Sequence, residues 1–279
     1  MRLIPNSRGC WIMGVLNCTP DSFSDGGRFM SVETAVAHAR QMIVDGVDIV
    51  DIGGESTRPG SLPVDPAEQI RRTIPVIERI RSFWDGPISI DTTKATVASA
   101  ALSAGANWIN DISALRDDAE MADIAAKSVS MVVLMHMQGT PRTMQTAPDY
   151  SDVVTEVRDF LQQRADFALR SGVRDDHIIV DPGIGFGKRQ DDNLAILANL
   201  PRFAELGYPV LVGASRKSFI GKITGDDTPD RLEGSLAAAV WAALHGARIV
   251  RVHDVAATRK ALLVAESIAR GQVGRFSIR

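Results

Sequence analysis

Eight times along this chain of 279 residues, a short apolar run rich in β-branched residues ends in a polar side chain. That recurrence restricts the fold more than any other feature. Its fullest instance spans Val47 to Ser61. Val47-Asp48-Ile49-Val50-Asp51-Ile52 reads as a buried parallel strand. Gly53-Gly54 breaks it, and a polar loop follows with Glu55, Ser56, Thr57, Arg58 and Pro59. Asp65-Pro66-Ala67-Glu68 restarts the chain as a helix, with Asp at the N-cap, Pro at the first helical position and Glu three residues on. Such a unit builds either an α/β barrel or an open α/β sheet, with the site at the strand ends.

The other seven runs repeat the arrangement. Trp11 to Leu16 delivers Asn17, Pro87 to Ile90 delivers Asp91, and Asn107 to Ile109 delivers Asn110-Asp111. Ser130 to Leu134 leads to Met135-His136, and His177 to Val180 leads to Asp181. Pro209 to Val212 reaches Gly213-Ala214-Ser215-Arg216-Lys217, and Arg248 to Val250 reaches Arg251-Val252-His253-Asp254. Between them lie helical patterns: Val32, Ala35, Val36, Ala39 and Ile43 on one face behind a Ser31 cap, then Ile70, Ile74 and Ile77 on the next helix. Val153 to Leu169 and Ala256 to Ala269 read as further helices. From Asn17 to His253 the intervals average about 34 residues, a usual length for a strand–helix–strand step. Eight such units make a (β/α)8 barrel, expected as one domain over residues 1–279. A doubly wound open sheet is the rival. It would concentrate polar residues at its switch point, whereas here all eight strand ends carry them.

Composition bounds the function. A net charge of −3 gives no reason to expect a nucleic acid or a membrane surface as partner. Cys10 and Cys18 suggest neither a disulfide framework nor a metal cluster. Trp11 to Leu16 is too short for a signal-peptide core or a membrane span. The expectation is a soluble, cytoplasmic protein.

In a barrel the strand ends converge on one mouth, so Asn17, Asp51, Asp91, Asn110, Asp181, Lys217, Arg251 and His253 should meet there. Singly, an Asp or Asn at a strand end only starts a turn or caps a helix. As a set, with a Lys, an Arg and a His at equivalent positions, they describe a site. The set divides by charge. Asp91, Asn110 and Asp181 suit a flat heterocycle with an amidine-like edge, because a carboxylate accepts two parallel hydrogen bonds from such an edge. Arg58, Lys217, Arg251 and His253 suit a phosphate or diphosphate, and Ser215 precedes a helix start that favours an anion. Asn17 is a neutral oxygen ligand suited to Mg2+ that keeps several waters and bridges substrate phosphates.

Two motifs fail. The stretch Gly183 to Lys188 ends in Gly-Lys, but a phosphate-binding P-loop needs Gly at 182 and Ser or Thr at 189, where Pro182 and Arg189 stand. His38, His136, His177, His245 and His253 contain no HExxH pair, which argues against a zinc hydrolase. His177 and His245 read as structural or solvated, and Met135 and Met137 as core or pocket wall.

The residues resemble the dihydropteroate synthase family. The matching stretches are Gly14 to Gly27, Asp51 to Gly60, Ile90 to Thr92, Asn110-Asp111, Met135 to Gly139, Asp181 to Lys188, Gly213 to Ser218 and Arg251 to Asp254, in family order across nearly the whole chain. The resemblance implies a barrel, a homodimer, and the joining of 4-aminobenzoate to a dihydropterin-CH2-diphosphate. By similarity, Asp91, Asn110, Asp181 and Lys217 hold the pterin, with Met135, Gly213 and Phe186 as wall and Asp51 at the floor. Thr57, Arg251 and His253 hold the diphosphate, and Asn17 holds Mg2+. The loops carrying Phe23 and Arg58 close over the site, with Asp25 as an available partner for Arg58. Phe23, Thr57, Pro59 and Ser215 border the aminobenzoate pocket. A methyltetrahydrofolate-corrinoid methyltransferase would need no diphosphate loop. A non-catalytic pterin-binding paralogue could dispense with Asn17, Arg58 or His253. All are present, which favours the synthase.

Overall fold

The structure, a computed structural model, describes residues 9–19, 32–57, 60–225 and 231–271. Eight parallel strands close into a barrel in chain order: β1 (Trp11–Asn17), β2 (Ile49–Gly53), β3 (Ile88–Asp91), β4 (Trp108–Asp111), β5 (Met131–Met135), β6 (Ile178–Asp181), β7 (Val210–Val212) and β8 (Ala247–Val252). Strand β8 pairs back onto β1, with Met13 opposite Arg251. The helices between them are α1 (Val32–Val44), α2 (Pro66–Arg81), α3 (Ala95–Ser103), α4 (Met121–Ser128), α5 (Val153–Arg170), α6 (Gln190–Ala198), α7 (Leu200–Ala204), α8 (Ser218–Thr224), α9 (Leu232–Leu244) and α10 (Val255–Arg270). The eight-strand expectation holds. Several strand-end polar residues prove to be the last residues of their strands, not the first of their loops. Among the described residues no helix is long and apolar enough to cross a membrane.

The period-two alternation of a strand sorts these side chains into two populations. Ile12, Leu16, Val50, Ile52, Ile88, Ile90, Ile109, Val132, Leu134 and Val180 point outward and join the helices in the main core. Met13, Ile49, Trp108, Met131, Val133, Ile179, Leu211 and Ile249 point inward and form a separate apolar layer inside the barrel. Two residues further along the same faces stand Val15, Asp51, Asn110, Met135, Asp181, Gly213 and Arg251. One more step along β1, β2 and β8 reaches Asn17, Gly53 and His253, while β3 contributes Ser89 and Asp91. The apolar layer is thus the floor on which the polar mouth is built.

Helix α2 begins as the sequence predicts: Asp65 caps it, its Oδ1 accepting from Ala67 N at 2.9 Å. Its buried face differs from expectation. Gln69, Thr73, Val76, Ile77 and Ile80 are enclosed, while Ile70 and Ile74 are only half-buried. The reason is local. The Gln69 amide donates to Glu55 Oε2 (2.9 Å) and Val64 O (3.0 Å) and accepts from Thr92 Oγ1 (3.1 Å). Thr73 donates to Gln69 O at 2.8 Å. With every polar atom matched, two polar residues occupy positions that an apolar stripe alone would not assign. Similarly, Met42 replaces Ile43 on the buried face of α1. The proposed Ser31 cap lies outside the described residues.

The side chains of the interior layer are at most 3% exposed. Ile249→Ala should therefore cost about 2–5 kcal/mol of unfolding free energy, read as a lowered urea midpoint with unchanged slope. A loss no larger than that of an exposed Val264→Ala control would contradict a close-packed floor.

Candidate active site

Arg251, on β8, reaches across the mouth to strands β2 and β3. Its Nε donates to Asp51 Oδ2 and its Nη2 to Asp91 Oδ2, both at 2.7 Å. Asp51 Oδ2 also accepts from Asn110 Nδ2 at 3.2 Å. Asp51 is fully buried, and its Oδ1 has no hydrogen-bond partner among the described residues. Burial alone would weaken the charge on Arg251, but Asp51 and then Asp91 overcome this and hold its pKa above the ordinary arginine value. Burial drives Asp91 the other way: its carboxyl is raised above the usual range against the pull of Arg251, with Asp51 and Asp111 adding to the rise. The division into an acceptor subsite and a cationic subsite is therefore incomplete. Arg251 lies between the two, with Nη1 unpaired among the described residues.

Asp181 is also buried, and its carboxyl is raised by desolvation against the pull of the Gly183 N–H, Lys217, Lys188 and Arg251. Its Oδ1 accepts from Gly183 N at 2.7 Å, so it does shape the Pro182 turn; its Oδ2 has no hydrogen-bond partner among the described residues. The following loop is folded by Gly183, Gly185 and Gly187, with φ of +70°, +80° and +61°. A Cβ at Gly183 would come within 1.9 Å of His136 O, so this backbone approach admits only glycine. Lys217 crosses to this loop: its Nζ donates to Ile184 O and sits 4.1 Å from the centre of the Phe186 ring. Burial lowers the Lys217 pKa to about 7, with Asp181 opposing.

The wall is apolar. Ile112, Met135, Met137 and Met144 form one buried cluster with Phe186 packed against it. Ile112 reaches that wall through an unusual turn in which Ala114 and Leu115 both take positive φ, +54° and +63°. Asp111 holds the turn by accepting from Ser113 N (2.7 Å) and Leu115 N (2.8 Å), and Arg164 Nε donates to Ala114 O at 2.7 Å. At the opposite rim Ser215 Oγ lies 3.1 Å from His253 Nδ1. Asn17 ends β1 opposite Gly53, where its Oδ1 would lie 3.8 Å from a Cβ. Thr57 is half-buried at the rim. Helix α8 starts at Ser218, three residues after Ser215.

Asn17, Asp51, Asp91, Asn110, Met135, Asp181, Phe186, Gly213, Ser215, Lys217, Arg251 and His253 therefore all sit at or just beyond the C-terminal ends of their strands. Phe23, Asp25, Arg58 and Pro59 lie outside the described residues. Sequence reasoning missed Ile112, Gln69 and the His136–Lys188 contact. A hint was present for the last: the lysine of the rejected P-loop stretch follows three glycines and has no phosphate to bind.

A barrel with this mouth belongs to the class of pterin-binding barrel enzymes: the family described as "Pterin binding enzyme" matches residues 13–253. A dihydropteroate synthase of Synechocystis is 48% identical over 261 residues, covering 93% of this chain and 90% of the relative. The structure of Xanthomonas albilineans dihydropteroate synthase with 4-aminobenzoic acid superposes with a TM-score of 0.88 at 49% identity, covering 94% of this chain and 93% of that one. The same enzyme in complex with 7,8-dihydropteroate gives 0.85 at 46%, covering 94% of each chain. The chain belongs to the dihydropteroate synthase family.

Removing Arg251 would leave two carboxylates facing each other without a cation. Arg251→Met should lose about 3–5 kcal/mol of stability at neutral pH. A carboxyl whose pKa is raised in the folded state binds its proton more tightly there, so its contribution is full at low pH and lost as pH rises through the raised value. The stability gap to wild type should accordingly narrow between pH 8 and pH 5, as Asp91 takes up a proton. Urea titrations showing a constant gap would contradict the ion-pair account.

Proposed function

We propose that the chain condenses (7,8-dihydropterin-6-yl)methyl diphosphate with 4-aminobenzoate, giving 7,8-dihydropteroate and diphosphate in tetrahydrofolate biosynthesis. The observation that carries this reading is the buried acceptor set of Asp91, Asn110 and Asp181 beside a Met, Ile and Phe wall, with cationic Lys217 and Arg251 at the same mouth. A pterin presents a flat apolar body and a donor-rich edge, which such a pocket complements. The 4-aminobenzoic acid and 7,8-dihydropteroate held by the X. albilineans enzyme support the two ends of the reaction.

The chemistry follows from charge flow. The C–O bond between the pterin methylene and the diphosphate breaks, and its electron pair leaves with the diphosphate. The electron-rich dihydropterin stabilises the resulting cation, and the buried carboxylates tolerate its charge. Arg251, through its Nη1, and His253 stabilise the departing anion, which is electrostatic catalysis by pre-placed groups. The arylamine nitrogen then attacks the methylene, a C–N bond forms, and the nitrogen loses a proton to solvent. No side-chain nucleophile is needed. Phe23, Asp25, Arg58 and Pro59 are assigned to the closing loops and the aminobenzoate pocket, which Thr57 and Ser215 border.

Among the described residues no group of three His, Cys, Asp or Glu is placed to enclose a metal ion. The donor set fits Mg2+ held largely by substrate and water, with the Asn17 amide oxygen as protein ligand, since its side chain makes no hydrogen bond among the described residues. Bound there, the ion would neutralise charge on the diphosphate.

The chain acts as one domain over residues 1–279, as a homodimer and in the cytoplasm. Exposed Trp241 and Ile223 flank an apolar groove of ≈ 580 Å³ lined also by Leu194, Leu197, Phe219 and Ala238, a face that a second copy of the chain would cover. The free thiols of Cys10 and Cys18 accord with a reducing compartment.

Diphosphate release should require both 4-aminobenzoate and Mg2+; release without the amine would sink the reading. Asp181→Ala should nearly abolish binding of the pterin diphosphate by calorimetry, because the ligand's buried N–H groups would lose their acceptor. A folded variant with near-normal affinity would return Asp181 to a turn-former.

A further inference from the structure

Lys188 carries an ammonium group that the proposed reaction does not use. It is 3% exposed, and its Nζ donates to Phe186 O at 3.0 Å and to His136 Nδ1 at 2.9 Å, with His136 O at 3.4 Å. The backbone N–H of His136 in turn donates to the backbone carbonyl of Asp181 at 2.9 Å. One amine therefore ties together the loop after β5, the carbonyl behind Phe186 and the end of the strand that carries Asp181.

We infer that Lys188, acting through His136, is a positioning residue for the heterocycle pocket, fixing Phe186 and Asp181 in the arrangement that receives the pterin. This deepens the proposed function and rests on it. Three observations carry it. The loop holds three glycines at positive φ, so its own backbone preference does little to select one shape. Two lysines grip alternate carbonyls of that loop, Lys217 on Ile184 and Lys188 on Phe186, and Lys217 also lies over the Phe186 ring. Further polar ties fasten the outer side of the loop, Gln145 Nε2 to Gly185 O at 2.8 Å and Tyr150 OH to Gly187 O at 2.6 Å. Lys188 is the tie on the inner side. Without it, the buried His136 Nδ1 and the half-buried Phe186 O would lose the donor they have among the described residues, which costs more than the bonds themselves contribute.

The imidazole suits this part. Burial, then Lys188 and Arg116, push His136 down to about 2, so the ring is neutral. Its proton then resides on Nε2 and Nδ1 is left to accept. Edge-to-face packing on Phe160 at 4.8 Å fixes the ring plane. Burial lowers Lys188 to about 7, with Asp181 opposing. The neutral amine still has two N–H donors, enough for Phe186 O and His136 Nδ1, so the tie does not depend on the charge.

The test is calorimetric titration with 7,8-dihydropteroate, together with the KM for 4-aminobenzoate at saturating pterin diphosphate. Lys188→Met should weaken dihydropteroate at least tenfold while leaving the 4-aminobenzoate KM within twofold. His136→Phe, which keeps a ring but removes the acceptor, should weaken it similarly. His136→Asn, whose Oδ1 stands near the place of Nδ1, should recover most of that loss. A merely structural role would instead lower the melting temperature or the fraction of active protein, with the affinity of the remainder unchanged. Equal affinity in His136→Phe and His136→Asn would overturn the inference, even if Lys188→Met failed to fold. So would a folded Lys188→Met with affinity within twofold of wild type. Wild-type protein that does not bind dihydropteroate would refute the proposed function and this inference with it. Wild-type binding with no difference among the variants refutes the inference alone.

Discussion

The mouth of this barrel depends on one arrangement: a guanidinium held between two buried carboxylates. Arg251 bonds Asp51 and Asp91 at 2.7 Å each, and Asp51 in turn receives the Asn110 amide. Four strands are connected by this cluster. Each carboxylate would be costly in the barrel interior alone, and the cation makes their burial tolerable. Among the described residues the same cluster leaves one guanidinium nitrogen and the Asn110 side-chain oxygen without a hydrogen-bond partner, so it supports structure and still has polar atoms to offer a ligand. Above it, Asp181 and Lys217 repeat the pattern with a looser hand: an acid and an amine, each made more readily neutral by burial.

The arrangement is possible because the layer beneath is apolar and closed. Met13, Ile49, Trp108 and Ile249 exclude water from below, so the polar groups above them are solvated from one side only. Their pKa shifts are largely a desolvation effect set by that geometry. The pocket wall shows the complementary economy. Ile112 enters it from a turn in which two consecutive non-glycine residues take left-handed backbone geometry, a conformation that persists because Asp111 and Arg164 satisfy its N–H and C=O groups.

Much of this was legible in the sequence because a strand has a strict period. Once Ile49 or Ile179 is assigned to the inside, Asp51 and Asp181 must follow on the same face, and the eightfold recurrence closes the ring. Contacts between loops have no such period. Nothing in the spacing of Gln69 signals that it joins Glu55 to Thr92, and an apolar-stripe reading of α2 therefore chose Ile70 and Ile74 instead. Arg251 was assigned to the anion because it is a cation. Its neighbours on β2 and β3 are set by the barrel's register and are remote in sequence. The partnership of Lys188 with His136 likewise joins residues on separate loops, although the three glycines before Lys188 marked the loop as one that must approach another backbone closely.

The seam of the ring has a bearing on how the protein is made. Strand β1 completes its pairing only with β8, so the barrel's first strand must wait for its last before it gains a neighbour on that side. The cation that reconciles Asp51 with Asp91 arrives on that same late strand. A growing chain can assemble the early strand–helix units, yet it carries two acids that favour water until residue 251 emerges. Closure and charge compensation are therefore one event. A chain truncated before β8 would lack Arg251 and with it the reason for these carboxylates to be inside, which ties assembly of the mouth to the arrival of the last barrel strand.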